Sequence, residues 1–195
     1  MRTLPANLDD EMAETAAAQL IGIAVPTLRE LRAATLACLS ASPAGEAEAV
    51  DALREAGYAG GQAIYEAFEQ WLAETSAPSD EGDRRSVPDL TIQEFGDRVA
   101  AYFRAAGWGG VEFDSEQKDG VATLTMENCW EAEVAAGSSA PSCHVTTGML
   151  AAFFGRLAGY PVAVLEAECC SAGANRCRFL LGNAEVMAFK WDELR

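Results

Sequence analysis

Three cysteines in the last third of the chain, Cys143, Cys169 and Cys177, stand at the edges of predicted elements, and this restricts the fold more than any other feature. Cys143 precedes an apolar run, residues 144–158, in which Met149, Leu150, Phe153, Phe154 and Leu157 supply one buried face before Gly159 stops the helix. Cys169 and Cys177 bracket a seven-residue turn between two extended stretches, residues 162–168 and 178–181. A hairpin brings its arms together, so these two thiols approach each other, and a helix start packed nearby brings Cys143 to the same point. The dipole of that helix favours a thiolate. Thiolates suit a tetrahedral Zn²⁺. The residue types alone leave three readings open: a metal site, buried inert thiols, or a redox pair. Glu166 and Glu168 are the carboxylates near enough in sequence to supply a fourth ligand.

The remainder of the chain reads as helices followed by a mixed half. Residues 1–76 are rich in Ala, Leu, Glu and Gln, which are good helix formers. Pro26 suits a helix start, with Leu28, Leu31 and Leu36 behind it. Residues 44–56 predict a second helix closed by Gly57, and residues 63–72 a third with Ile64, Phe68, Trp71 and Leu72 on one side. Residues 76–88 are polar and turn-rich and read as a linker. Thr91-Ile92-Gln93-Glu94 is a capping box, with Leu90 and Phe95 at staple spacing. Phe95, Val99, Tyr102 and Phe103 form the stripe of that helix, which ends at Gly107-Trp108-Gly109-Gly110. Short strands near residues 111–113 and 121–126 are joined through the turn residues Asp119-Gly120. A polar loop over 137–142 leads to the Cys143 helix.

Charge narrows the function. Net charge is −16, with 16 acidic against 6 basic residues in 1–90 and 14 against 8 in 91–195. Neither half offers a basic face, which argues against nucleic acid or an anionic membrane as a direct partner. The most apolar early run ends at Pro26, too short to span a bilayer, and no secretory signal is visible. The expectation is a soluble, cytoplasmic protein, where six Cys point away from a disulfide scaffold.

The segment Cys143-His144, Gly148, Phe153-Phe154, Gly159, Glu166-Ala167-Glu168-Cys169, Ala172-Gly173 and Cys177-Arg178-Phe179 resembles the 4-vinyl reductase domain family. That domain also forms the sensory part of phenol- and aromatic-responsive bacterial transcription activators, in which three Cys and one Glu bind zinc. The resemblance implies Cys143, Glu166, Cys169 and Cys177 as ligands of a structural Zn²⁺, at the matching intervals of 23, 3 and 8 residues. Strict alternation would put Glu166 and Cys169 on opposite faces, so the strand must bulge near Ala167. Without that bulge Glu168, His144 or Cys170 would take the fourth place. The implied fold is α+β: an antiparallel sheet flanked by helices, like TRAPP subunits and haem nitric-oxide-binding domains. Residues 1–44 would be a helical extension and 45–195 the ligand-binding domain, with 143–180 its most specific part.

Such a domain implies a pocket for a small apolar or aromatic ligand, or for a tetrapyrrole. Tyr102, Phe103, Trp108, Phe113, Trp130 and Phe153 are the candidates to line it. No ATPase or DNA-binding segment follows, so output would pass through a protein partner or by ligand delivery. Two other roles stand beside the binding module: a subunit of a protein assembly, and a reductase of a vinyl group on a chlorophyll precursor. The second lacks a dinucleotide fingerprint after a strand and a cysteine set for an iron–sulfur cluster. His144, the single histidine, sits beside a candidate ligand and fits capping better than haem ligation or triad chemistry. The resemblance and the apolar tail with Met187, Phe189 and Trp191 hint at a homodimer.

Overall fold

A computed structural model describes residues 25–41, 45–75, 90–118, 120–132 and 140–193. The linker expected at 76–88 and half of the 137–142 loop lie outside these residues. The described elements are α1 (Val25–Ser40), α2 (Gly45–Thr75), α3 (Ile92–Ala105), β1 (Gly110–Lys118), β2 (Val121–Glu127), α4 (His144–Ala158), β3 (Ala163–Glu168), β4 (Cys177–Gly182) and α5 (Ala184–Glu193), with a short 3₁₀ turn at Cys170–Ala172. Five helices thus accompany one antiparallel sheet of strand order β1-β2-β4-β3, the α+β class expected. Among the described residues no helix is long and apolar enough to cross a membrane.

Alternation along the strands sorts the sheet into two faces. Ala122, Leu124 and Met126 of β2 and Cys177, Phe179 and Leu181 of β4 join one core with α2, α3 and α4. Val121 and Leu180 face the other way and meet Met187 of α5. The Asp119-Gly120 turn closes the β1–β2 hairpin, with Lys118 opposite Val121 and Gly120 at φ +76°. Strand β1 is longer than the 111–113 expected.

Thr91 caps α3 as the capping box requires: its hydroxyl accepts from the Glu94 N–H, and the Glu94 carboxylate accepts from the Thr91 N–H at 3.0 Å. Helix α4 spans 144–158 as expected and ends on Gly159 at φ +72°.

One expectation is overturned. Gly57 does not end a helix; α2 runs unbroken for 31 residues, about 46 Å at 1.5 Å per residue. Gly57 and Gly61 are buried against α4, where an added Cβ would collide with the carbonyls of Val145 and Met149. Gly148 answers from α4, where a Cβ would collide with the Arg54 carbonyl. These glycines let two backbones touch, and that packing outweighs the roughly 1 kcal/mol each costs within a helix.

Candidate metal centre

The ends of three elements converge at one buried point. Cys143 is the N-cap residue of α4, Cys169 follows β3, and Cys177 opens β4. Sγ of Cys143 lies 3.7 Å from that of Cys169 and 3.8 Å from that of Cys177, and the latter two are 3.8 Å apart. A tetrahedral ion with metal–sulfur bonds of about 2.3 Å requires sulfurs about 3.8 Å apart, so the triangle has the size of one face of such a site.

Glu166 stands over this triangle. One carboxylate oxygen, Oε2, accepts the Cys143 backbone N–H at 2.8 Å, while Oε1 is buried with no partner. The four donor atoms all lie within 4.8 Å of one another, and all four residues are buried. An orphaned carboxylate oxygen above three thiols is costly unless a cation completes it. The donor set therefore fits a metal ion.

The bulge that this arrangement needs is present. Glu166 pairs with Phe179 but Glu168 pairs with Arg178, so the register slips at Ala167 and Cys169 turns to the same side as Glu166. Glu168 instead points outward and bonds Arg178 at 2.7 Å. Cys170 is half-buried in the 3₁₀ turn, and His144 is half-buried on α4; neither joins the four-residue group. Burial, and then the charges of Arg54 and Arg32, hold His144 down to about 4, so its imidazole is neutral at pH 7.

The thiols are electrostatically unequal. S–H donors from Cys143 and Cys177, with the Ser171 hydroxyl, hold Cys169 far below the usual thiol range. Cys143 and Cys177 are pushed far up, Cys143 chiefly by its bonds to Cys129 and Cys169, and Cys177 chiefly by its bond to Cys129. Burial, and then the bond to Cys169, pushes Glu166 up to about 8. A metal-free cluster therefore holds protons that a cation displaces.

Two neighbours escaped the sequence reading. Cys129 is buried with its Sγ 3.7 Å from that of Cys143 and 3.7 Å from the Thr146 hydroxyl. It lies three residues past Met126, which pairs with Cys177, and only that non-local pairing reveals it. Glu131 is fully buried and accepts the backbone N–H groups of Val145 and Thr146 at 3.0 and 2.8 Å, capping α4. It also pairs with Arg32 of α1 at 3.1 Å, while Arg32 donates to the Ser142 carbonyl at 2.7 Å and Arg29 to the Trp130 carbonyl at 3.0 Å. No local pattern marks a buried Arg–Glu pair 99 residues apart in sequence.

The six candidate pocket aromatics divide into two sets. Tyr102, Phe103, Phe113 and Phe153 belong to a packed aromatic core with Phe68, Phe95 and Phe154; Phe103 meets Phe153 edge-on at 5.5 Å, and Phe113 stacks on Phe154 at 5.8 Å. Trp108 and Trp130 form a separate edge-to-face pair at 6.0 Å. Trp130 Nε1 is buried with no partner, the one other such side-chain atom besides Glu166 Oε1 among the described residues. None of the six lines the groove of about 500 Å³ between α2, α4, β3 and α5, whose walls include Tyr58, Ala151, Leu165 and Trp191.

Known proteins agree with this picture. The family model of the vinyl-4-reductase domain matches residues 122–183, a span that holds all four clustered residues. The phenol-responsive sensory domain of the transcription activator PoxR, solved with phenol, superposes with a TM-score of 0.61 at 18% identity, over 93% of this chain and 92% of that one. A vinyl-4-reductase family protein from Methanocaldococcus jannaschii superposes with a TM-score of 0.52 at 16% identity, over 93% and 97%. Among curated proteins none matches the sequence. The resemblance to the 4-vinyl reductase domain holds, and the fold is that of these neighbours.

Proposed function

We propose that this chain is a small-molecule-binding domain, a sensor or carrier, in which Cys143, Glu166, Cys169 and Cys177 hold one structural Zn²⁺. Its ligand is a small aromatic or otherwise apolar molecule that carries a hydrogen-bond acceptor. The observation that carries this reading is the pair of orphaned buried atoms on either side of Cys129: Glu166 Oε1, which calls for a cation, and Trp130 Nε1, which calls for an acceptor. The match to the vinyl-4-reductase domain and the likeness to a phenol-responsive domain support a phenol-like molecule at Trp130. Four ligands leave no open position, so the ion holds the β3–β4 turn to α4 and takes no part in chemistry. On this reading the domain comprises 45–195, residues 1–44 are an extension clasped on it through Arg29 and Arg32, and a cytoplasmic protein partner, or a second copy of the chain, receives the signal.

Elemental analysis and a ligand titration test both halves. Protein purified without chelator carries close to one zinc per chain. Phenol quenches tryptophan fluorescence saturably, and Trp130→Phe weakens that binding about tenfold, the effect of one lost hydrogen bond of about 1.4 kcal/mol. A porphyrin titrated in the same way tests the larger ligand class. Zinc far below one equivalent, or no saturable binding of either probe, overturns the reading.

A further inference from the structure

The metal centre has a second candidate for its fourth ligand. Cys129 Sγ stands 3.7 Å from Cys143 Sγ, the same separation as between the three clustered sulfurs. The residue is 3% exposed, so its thiol has no competing water. It follows Asn128, whose φ of 54° is the one left-handed non-glycine conformation among the described residues. That sparsely populated geometry turns the chain at the end of β2 and points Cys129 inward beside Cys143; such outliers collect at functional sites. Glu166, in turn, is held by a single tether, the Cys143 N–H on Oε2, and that bond needs nothing from Oε1. The carboxylate therefore keeps a resting place when Oε1 lets go.

We infer that Cys129 and Glu166 are alternative fourth ligands of the ion, so that the site switches between three sulfurs with one oxygen and four sulfurs. This rests on the metal reading above and goes beyond it. In the exchange the metal–Oε1 bond breaks and the metal–Sγ bond to Cys129 forms. The thiol proton of Cys129 passes to the released carboxylate, so the buried charge is unchanged and no oxidant or reductant is required. Four thiolates favour softer ions, so the second state also widens the range of metals the site retains.

Cobalt(II) in place of zinc reports the donor set through its visible d–d bands and its sulfur-to-cobalt charge-transfer absorption. Wild type and Cys129→Ser show the spectrum of three sulfurs and one oxygen. Glu166→Gln keeps one cobalt per chain, within about tenfold of wild-type affinity, and its spectrum shifts to lower energy with stronger charge transfer. Glu166→Ala, which has no side-chain oxygen, gives the same four-sulfur spectrum. The double variant Cys129→Ser/Glu166→Gln binds cobalt about a hundredfold more weakly than either single variant, a non-additive loss. Far-UV circular dichroism of the metal-free proteins shows that each variant folds like wild type. The inference is overturned if Glu166→Gln and Glu166→Ala lose cobalt as completely as Cys177→Ser does, or if the double variant binds as Glu166→Gln does. If wild type itself takes up no cobalt, the metal reading fails and takes this inference with it; if wild type binds and only the Glu166 variants fail, the metal reading stands and this inference alone falls.

Discussion

Helix α4 passes through two unlike environments. Its outer half, with Phe153 and Phe154, is packed among Phe68, Phe95, Phe103 and Phe113, a region of hydrocarbon contacts that asks for nothing else. Its first turn sits on sulfur, buried carboxylates and borrowed backbone bonds, and both orphaned side-chain atoms lie at that end. The contrast separates two kinds of stability. The aromatic end and the glycine contact with α2 are stable from sequence alone, whereas the sulfur end is complete only with something bound.

Substitutions can test that separation. Gly148→Val should have the largest effect, because the new side chain meets the α2 backbone at Arg54 and Tyr58 and neither can yield without parting the helices. Thermal unfolding should show no cooperative transition, with or without zinc; a normal transition would mean that α2 and α4 do not touch as described. Cys177→Ser should act only through the metal. It should abolish the gain of about 4 kcal/mol that an ion at a thousandfold excess over its dissociation constant provides, and change denaturant unfolding in chelator far less. Equal losses in both conditions would erase the distinction between the two ends.

Acid should act in the same direction as that variant. Cys143 and Cys177 lie above the usual thiol range and Glu166 is pushed up to about 8, so the metal-free site binds more protons than the loaded one. Zinc affinity should therefore fall as pH drops from 8 to 6, read by competition with a chromophoric chelator, while the aromatic end feels nothing in that range. A flat profile would contradict the burial of these groups. The smallest effect should come from Thr91→Ala, far from the sulfurs: about 1 kcal/mol of stability lost with the α3 cap, and zinc affinity unchanged.

The same division explains what could be read from sequence. Elements with local signals came through: the capping box at Thr91 and Glu94, the stop at Gly159, and the Asp119-Gly120 turn all depend on neighbours within a few residues. The bulge at Ala167 was also accessible, because alternation makes Glu166 and Cys169 incompatible without it. Gly57 misled because a glycine that ends a helix and one that admits a neighbouring backbone look alike until Gly148 is placed opposite. Cys129 and the Arg32–Glu131 pair depend on strand order and on where α1 lies, and neither leaves a local trace.

Glu131 is shared property. It caps α4 at Val145 and Thr146 and at the same time grips Arg32, so α1 and α4 cannot tilt independently. Any shift of α4 that loosens the sulfurs pulls this carboxylate off the guanidinium. Helix α1 is in that sense a lever with its fulcrum in the interior, and it delivers an event sealed from solvent to an outer face that carries the exposed Leu31.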